Sequence, residues 1–230
     1  MRLASLALAL AVASAATSVA WAGPKDPGYY LSFRIPGGVA EVDEVQNEST
    51  FSGTPGNPDE DDLTVGGTGV FGYTWKSLPI RTEFEYTHIF RFDYDASPVI
   101  LNPGAGGQQG LKSNIKSDIF LVNAFYDFDT GTSFYPYVGG GAGYGRHTAE
   151  TELRNLASFV AEERDDDESG LVWAVQLGVH WAFSEHWDAE LGFRYIDLGE
   201  VVSGPFTNGT KIRIEDYTSK DLILGLRYRF

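Results

Sequence analysis

From residue 28 onward the chain alternates between large apolar and polar side chains with a period of two, and it does so in eight separate runs. The plainest is the last, residues 222–230. Leu222, Leu224, Leu226, Tyr228 and Phe230 share one face, Asp221, Gly225, Arg227 and Arg229 take the other, and only Ile223 breaks the rule. Such alternation marks a strand with one greasy and one charged face. Residues 28–35 set Tyr29, Leu31, Phe33 and Ile35 against Tyr30, Ser32 and Arg34. Residues 64–75 set Val65, Phe71, Tyr73 and Trp75 against Thr64, Thr68, Gly72 and Thr74. In 80–94 the apolar face runs from Ile80 through Phe84, Tyr86, His88 and Phe90 to Tyr94, and Arg81, Glu83, Glu85, Thr87, Ile89, Arg91 and Asp93 lie opposite. Residues 115–128 carry Phe120, Val122, Ala124, Tyr126 and Phe128 on one side, while Ile119, Leu121 and Phe125 blur the other. In 134–147, Val138, Gly140, Ala142 and Tyr144 oppose Tyr137, Gly139, Gly141, Gly143 and Gly145, glycines that leave room for bulky neighbours. Residues 170–183 and 187–199 complete the set, with Leu171 to Phe183 and Trp187 to Tyr195 as their apolar faces.

The connections alternate as regularly as the strands. Lys76-Ser77-Leu78-Pro79, residues 129–133 and Ser184-Glu185-His186 are tight turns. Residues 36–63, 95–113, 148–169 and 200–217 are long, polar and mostly rich in Gly or acid. Short turns on one side, long loops on the other and an even strand count are the asymmetry of an outer-membrane barrel. Trp75, Phe128, Phe134, Trp181, Phe183, Trp187 and Phe230 all cluster beside the short turns, where they form a periplasmic aromatic girdle. The prediction is an all-β fold: an eight-stranded antiparallel up-and-down transmembrane β-barrel with four long outer loops and three short periplasmic turns. The competing architecture is a soluble lipocalin-like barrel, apolar inside. Against it stand the terminal Phe, strands long enough for the 9–11 residues of a tilted span, and the N-terminus. There Arg2 precedes an Ala- and Leu-rich run ending in Ala20-Trp21-Ala22, a secretory signal with its cleavage site. Residues 1–22 are therefore expected to be a signal peptide and 23–230 the barrel domain. After Gly23 nothing approaches the ~20 apolar residues of a spanning helix, and lipid admits only helices and closed barrels. The chain holds 0 Cys, which excludes disulfides, thiolate metal sites and a thiol nucleophile, and a net charge of -15, which argues against nucleic acid and a polybasic anchor.

The stretches Val122-Asn123-Ala124-Phe125-Tyr126-Asp127-Phe128, residues 136–145, Gln176-Leu177-Gly178, Leu191-Gly192-Phe193-Arg194-Tyr195 and Arg227-Tyr228-Arg229-Phe230 resemble the opacity-protein and outer-membrane surface-antigen family of eight-stranded barrels. That family is related in architecture to the barrel domain of outer membrane protein A. The resemblance covers most of the chain after residue 22 and implies a fold rather than an activity. It implies a Gram-negative outer-membrane location, contact with membrane lipid and lipopolysaccharide, and periplasmic chaperones and the barrel assembly machinery as partners. Tyr228 and Phe230 match the C-terminal assembly signal of such proteins. The loops match nothing in the family, and an extracellular ligand would be met there.

The charged face of each strand must then point into a lumen barely wide enough for side chains. Arg34, Arg81, Arg91, Arg194, Arg227 and Arg229 share it with Glu83, Glu85, Asp93, Asp127, Asp188, Glu190 and Asp221. Unpaired, each such charge carries a cost of several kcal/mol, so the expected interior is salt-bridged. Glu83 and Glu85 with Arg194 and Arg227 are its expected centre, and Arg34 and Glu190 further members. A permanent plug gives a structural or surface-interacting protein; a switching one gives a small gated pore for ions or small solutes. A lipid A-modifying enzyme is the weaker alternative. It needs His and Ser together on an outer face with a carboxylate, yet His180-Trp181-Ala182 and His147-Thr148-Ala149 lack the serine, and Ser184-Glu185-His186 lies within one turn. The chain is accordingly expected not to be an enzyme and to need no cofactor. Asp59-Glu60-Asp61-Asp62 and Asp165-Asp166-Asp167-Glu168 lack the spacing of a Ca²⁺ loop and are taken as solvated charge, with no metal site expected; a milder expectation has divalent ions bridge them to lipopolysaccharide phosphates. His88 is expected at the lipid or headgroup boundary.

Overall fold

The structure, a computed structural model, describes residues 27–47, 61–99, 109–155, 160–203 and 212–230. The expected signal peptide lies outside them, as do the side chains of Arg91, Asp93, the whole first acidic cluster and Asp165 and Asp166 of the second. Eight strands follow one another: β1 Gly28–Asn47, β2 Asp61–Thr74, β3 Ile80–Val99, β4 Gln109–Asp127, β5 Phe134–Asn155, β6 Val160–Ala182, β7 Trp187–Ser203 and β8 Ile212–Arg229. Each pairs antiparallel with the next, and β1 pairs with β8 to close the barrel. Closure leaves the sheet no unpaired edge, so the ladder meets the backbone's hydrogen-bonding need around the whole wall.

A row of register partners begun at Gly28 passes through Thr74, Arg81, Phe125, Gly139, Gln176, Arg194 and Asp221 and returns to β1 at Gly38, a stagger of ten residues. Stagger and tilt are linked, and strands in such barrels lean by roughly 35–45°. The three short turns connect β2 to β3, β4 to β5 and β6 to β7. In the second, the Gly131 amide donates to Asp129 Oδ1 (3.0 Å) with Gly131 at φ 69°, a left-handed position that suits glycine.

At the opposite end the strands run well past their expected limits. The β5–β6 ladder continues from Arg146↔Ser169 to Asn155↔Val160, and β1–β8 reaches Asn47↔Ile212, through segments that composition assigns to loops. The reason lies in what alternation reports. It is strong only where one face is uniformly apolar; past that band polar residues occupy positions of both parities and the few apolar ones, such as Val42 and Val45, keep no common parity, so the contrast fades while backbone pairing goes on.

The outward face is apolar, with Leu171 71% and Val122 65% exposed. The lumen has two layers. Toward the short turns it is ionic. Beyond them Ile89, Ile115, Ile119, Leu121, Val172, Ile196, Leu198 and Tyr217 are buried. The apolar residues that blur the second face of β4 therefore fill the interior, where a charge-only lumen would have left them without a role.

Candidate functional site

The ionic layer is organised around Arg34. Alternation on β1 turns it inward between Ser32 and Pro36, and its guanidinium crosses to carboxylates two strands away on either side. Nη1 and Nη2 donate to Glu83 Oε2 and Oε1 at 2.8 and 2.9 Å, Nη1 also reaches Glu85 Oε2 at 3.2 Å, and Nε donates to Glu190 Oε2 at 2.8 Å. Arg34 is 1% exposed and the three glutamates are equally withdrawn. The planar fork of arginine suits this multiple engagement as an ammonium would not.

Each carboxylate has further donors. Glu83 accepts from Tyr30 Oη at 2.7 Å and from Arg81, whose Nε donates to Asp127 Oδ1 at 2.9 Å. Glu85 accepts from Arg194 Nη1 (2.8 Å), Asn123 Nδ2 (2.9 Å) and Thr87 Oγ1 (3.0 Å). Arg194 also holds Asp221 Oδ2 through Nη2 at 2.6 Å, and Ser219 donates to the other oxygen at 2.6 Å. Glu190 Oε1 accepts from Tyr137 Oη (2.6 Å) and Gln176 Nε2 (3.1 Å). Glu83, Glu85, Arg194, Arg34 and Glu190 are thus joined in one network. Arg227 is its looser member, 3.7 Å from Glu83 and 3.8 Å from Asp188. Arg34 bridges Glu83 and Glu85 to Glu190, and of the partners expected for those two glutamates Arg194 pairs with Glu85 and Arg227 lies farther off beside Glu83.

Aromatic rings hold the arginines in place. Arg227 lies over Tyr30 (4.3 Å) and its Nη2 donates to His180 Nε2 (2.8 Å); His180 stacks on Tyr137 (4.8 Å), and Arg81 lies over Tyr137 and Phe125 (4.5 and 4.2 Å). Because arginine can only donate, His180 Nε2 accepts and the ring is neutral with its proton on Nδ1. This chain of rings and guanidiniums joins residues of β1, β8, β6, β5, β3 and β4. A recess of about 380 Å³ beside the short turns, lined by Trp75, Lys76, Pro79, Asp127, Asp129 and Tyr135 among others, includes the Asp127 that Arg81 holds.

Sequence reasoning missed the His180 contact, the phenols of Tyr30 and Tyr137 as donors, and a second buried pair. Ser117 Oγ lies 2.8 Å from His147 Nδ1, and His147 Nε2 lies 2.9 Å from the Leu198 carbonyl. The carbonyl only accepts, so Nε2 carries the proton and Ser117 donates to Nδ1. Parity placed both residues inward; their pairing needed the Ser117↔His147 register. Ser184 closes its turn, its Oγ accepting from the Trp187 amide at 3.0 Å, and His186 stacks on Tyr228. Among the described residues no group of three or more His, Cys, Asp or Glu is arranged to hold a metal.

On the outside, Trp75, Phe128, Trp181 and Trp187 are exposed beside the short turns, with Tyr228 packed on Trp187 (4.9 Å) and edge-on to Phe230 (5.4 Å). At the other margin His88 Nδ1 and Tyr86 Oη meet Asp118 Oδ1 at 2.8 and 2.7 Å.

The family model of the outer membrane protein beta-barrel domain matches residues 5–230. Outer membrane protein PagN of Salmonella typhimurium is 24% identical over 228 residues, covering 92% of this chain and 95% of that protein. Among solved structures, Neisserial surface protein A covers 88% of this chain and 97% of its own at 19% identity, with a TM-score of 0.50. OprG from Pseudomonas aeruginosa covers 86% and 95% at 18% identity, with a TM-score of 0.47.

Proposed function

Since the chain belongs to the outer membrane protein beta-barrel domain family and is a Gram-negative outer-membrane protein, we propose that its lumen is a permanent plug and that its work is structural or done at the surface. The observation that carries this is Arg34. One guanidinium bonds Glu83 and Glu85 on β3 and Glu190 on β7, so opening a path means parting several buried, charge-assisted hydrogen bonds together. The buried apolar layer stands in series with it.

In this reading the short turns and both barrel termini face the periplasm, and the strand extensions rise from the outer surface. Residues 1–22 direct export, and Tyr228 and Phe230 serve recognition by the assembly machinery. Trp75, Phe128, Trp181 and Trp187 seat the barrel at the periplasmic interface, where amphipathic rings are favoured. The name of Neisserial surface protein A describes a surface protein of the same fold, and a ligand for this chain would be met beyond the membrane.

Single-channel recording tests the plug. The refolded wild type is expected to give no discrete openings in a planar bilayer, with folding verified by heat-dependent gel mobility. Glu83→Ala and Arg194→Ala, separately, are expected to introduce at most brief, irregular current. Steady openings of the wild type, altered by either substitution, would replace the plug by a gated pore.

A further inference from the structure

Outward side chains divide the barrel wall into unequal sectors. On β1 and β2 the described outward positions, up to Val39 and Leu63, include no charged residue. On β3 to β6 the apolar face ends at a connected polar belt. Tyr86 and His88 hold Asp118; Arg146 Nη2 and Thr148 Oγ1 hold the two oxygens of Asp167 at 2.8 Å each; Tyr144 bonds Ser169. Lys116 occupies the next outward position on β4.

The depth of this belt follows from counting. Asp118 on β4 lies ten positions from Phe128, just past the end of that strand, and Tyr144 ten from Phe134 on β5. At ~3.3 Å per residue and a tilt of ~40° that is about 25 Å, the height of the apolar band of such barrels. The belt thus stands where hydrocarbon gives way to headgroups, at the end away from the short turns. If those turns face the periplasm, as proposed above and on which this inference rests, the leaflet it meets is the outer one.

Its cations are placed for an anionic headgroup. Arg146 is the register partner of Asp118, so Lys116, two residues along β4, is its diagonal neighbour, at a Cα spacing of roughly 7–8 Å. Arg146 is exposed and, among the described residues, uses only Nη2 on a carboxylate, which leaves Nε and Nη1 for a second acceptor. Asp167 fixes the fork in place, and Asp118 orients the His88 ring with Nε2 turned from the carboxylate. Two cations so spaced, one of them forked, match oxygens distributed over a phosphorylated sugar.

We propose that Lys116 and Arg146, with His88 beside them, form a binding site for a phosphate of lipid A on the β3–β5 face. The site is local: Lys220, outward on β8, belongs to another sector and takes no part.

The test is native mass spectrometry of the refolded barrel in micelles doped with bisphosphorylated lipid A, the same lipid enzymatically dephosphorylated, or phosphatidylglycerol. Wild type should retain bisphosphorylated lipid A, and the double variant Lys116→Gln/Arg146→Gln should retain it about tenfold less, as expected for loss of charge-assisted contacts. Lys220→Gln should match wild type. Heat-dependent gel mobility establishes that every variant is folded. Equal retention by the double variant, an equal fall in Lys220→Gln, or equal retention of the dephosphorylated lipid or of phosphatidylglycerol by wild type would each overturn the site. Orientation is checked separately. The natural chain has 0 Cys, so Ser77→Cys should resist an impermeant maleimide on intact cells; labelling there would instead refute the orientation.

Discussion

Arg34→Met is expected to cost about 3–5 kcal/mol of barrel stability, the usual penalty for removing one partner of a buried ion pair. Methionine fills part of the volume and supplies no donor. Glu83, Glu85 and Glu190 would then face one another with one guanidinium fewer among them, and Glu190 would retain Tyr137 and Gln176 as its direct hydrogen-bond donors. The measurement is the urea midpoint of the refolded protein in lipid vesicles, read by heat-dependent gel mobility. Adding Glu190→Gln to Arg34→Met removes one stranded charge and should recover part of the loss. A loss below about 1 kcal/mol, typical of exposed pairs, would show that the network is not a buried one. Absence of recovery would show that arginine matters for its bulk rather than its charge.

Gly192→Leu is the second large effect. Gly178 and Gly192 are inward register partners on β6 and β7, and the phenol of Tyr137 occupies the space above them. A Cβ at Gly192 would stand 2.6 Å from Tyr137 Oη, and one at Gly178 2.7 Å. That hydroxyl donates to Glu190 and accepts from Gln176 at 2.6 Å, so moving it disturbs the network as well as the packing. Overpacking of about 1–3 kcal/mol and a stranded polar group of about 1–3 kcal/mol act together. Tyr137→Phe, which loses only the hydroxyl, should be milder in the same urea titration. If the two variants were equal, the glycine would be incidental and the hydroxyl alone would account for both.

The barrel was legible because lipid outside and charge inside leave a period of two that loops do not share. Leu222 to Phe230 against Arg227 and Asp221 states this almost alone. Parity on each strand also gives the side a residue faces, which is why Arg34, Glu83, Glu85, Glu190 and Arg194 could be placed in the lumen from sequence. Parity does not give partners. Arg34 meets residues two strands away on either side, and their relative height depends on a stagger accumulated around the wall, to which every hairpin contributes. For the same reason Ser117 and His147, thirty residues apart, were invisible as a pair. The strand extensions were illegible for a different cause: where polar residues occupy positions of both parities, composition resembles a loop while the ladder persists.

That persistence sets a reach. From Arg146, placed by the proposal above at the edge of the hydrocarbon, β5 stays paired with β6 for nine more residues to Asn155, a rise of about 20–25 Å at the pitch and lean of such strands. The hairpin is a paired ribbon whose height is written in residue pairs. Adding two residues to each strand keeps every side chain on its own face and lifts the tip by about 5 Å, without any new contact in the lumen. In the proposed orientation, clearance over the sugar layer of the cell would therefore change by insertion while the closed wall below stays the same.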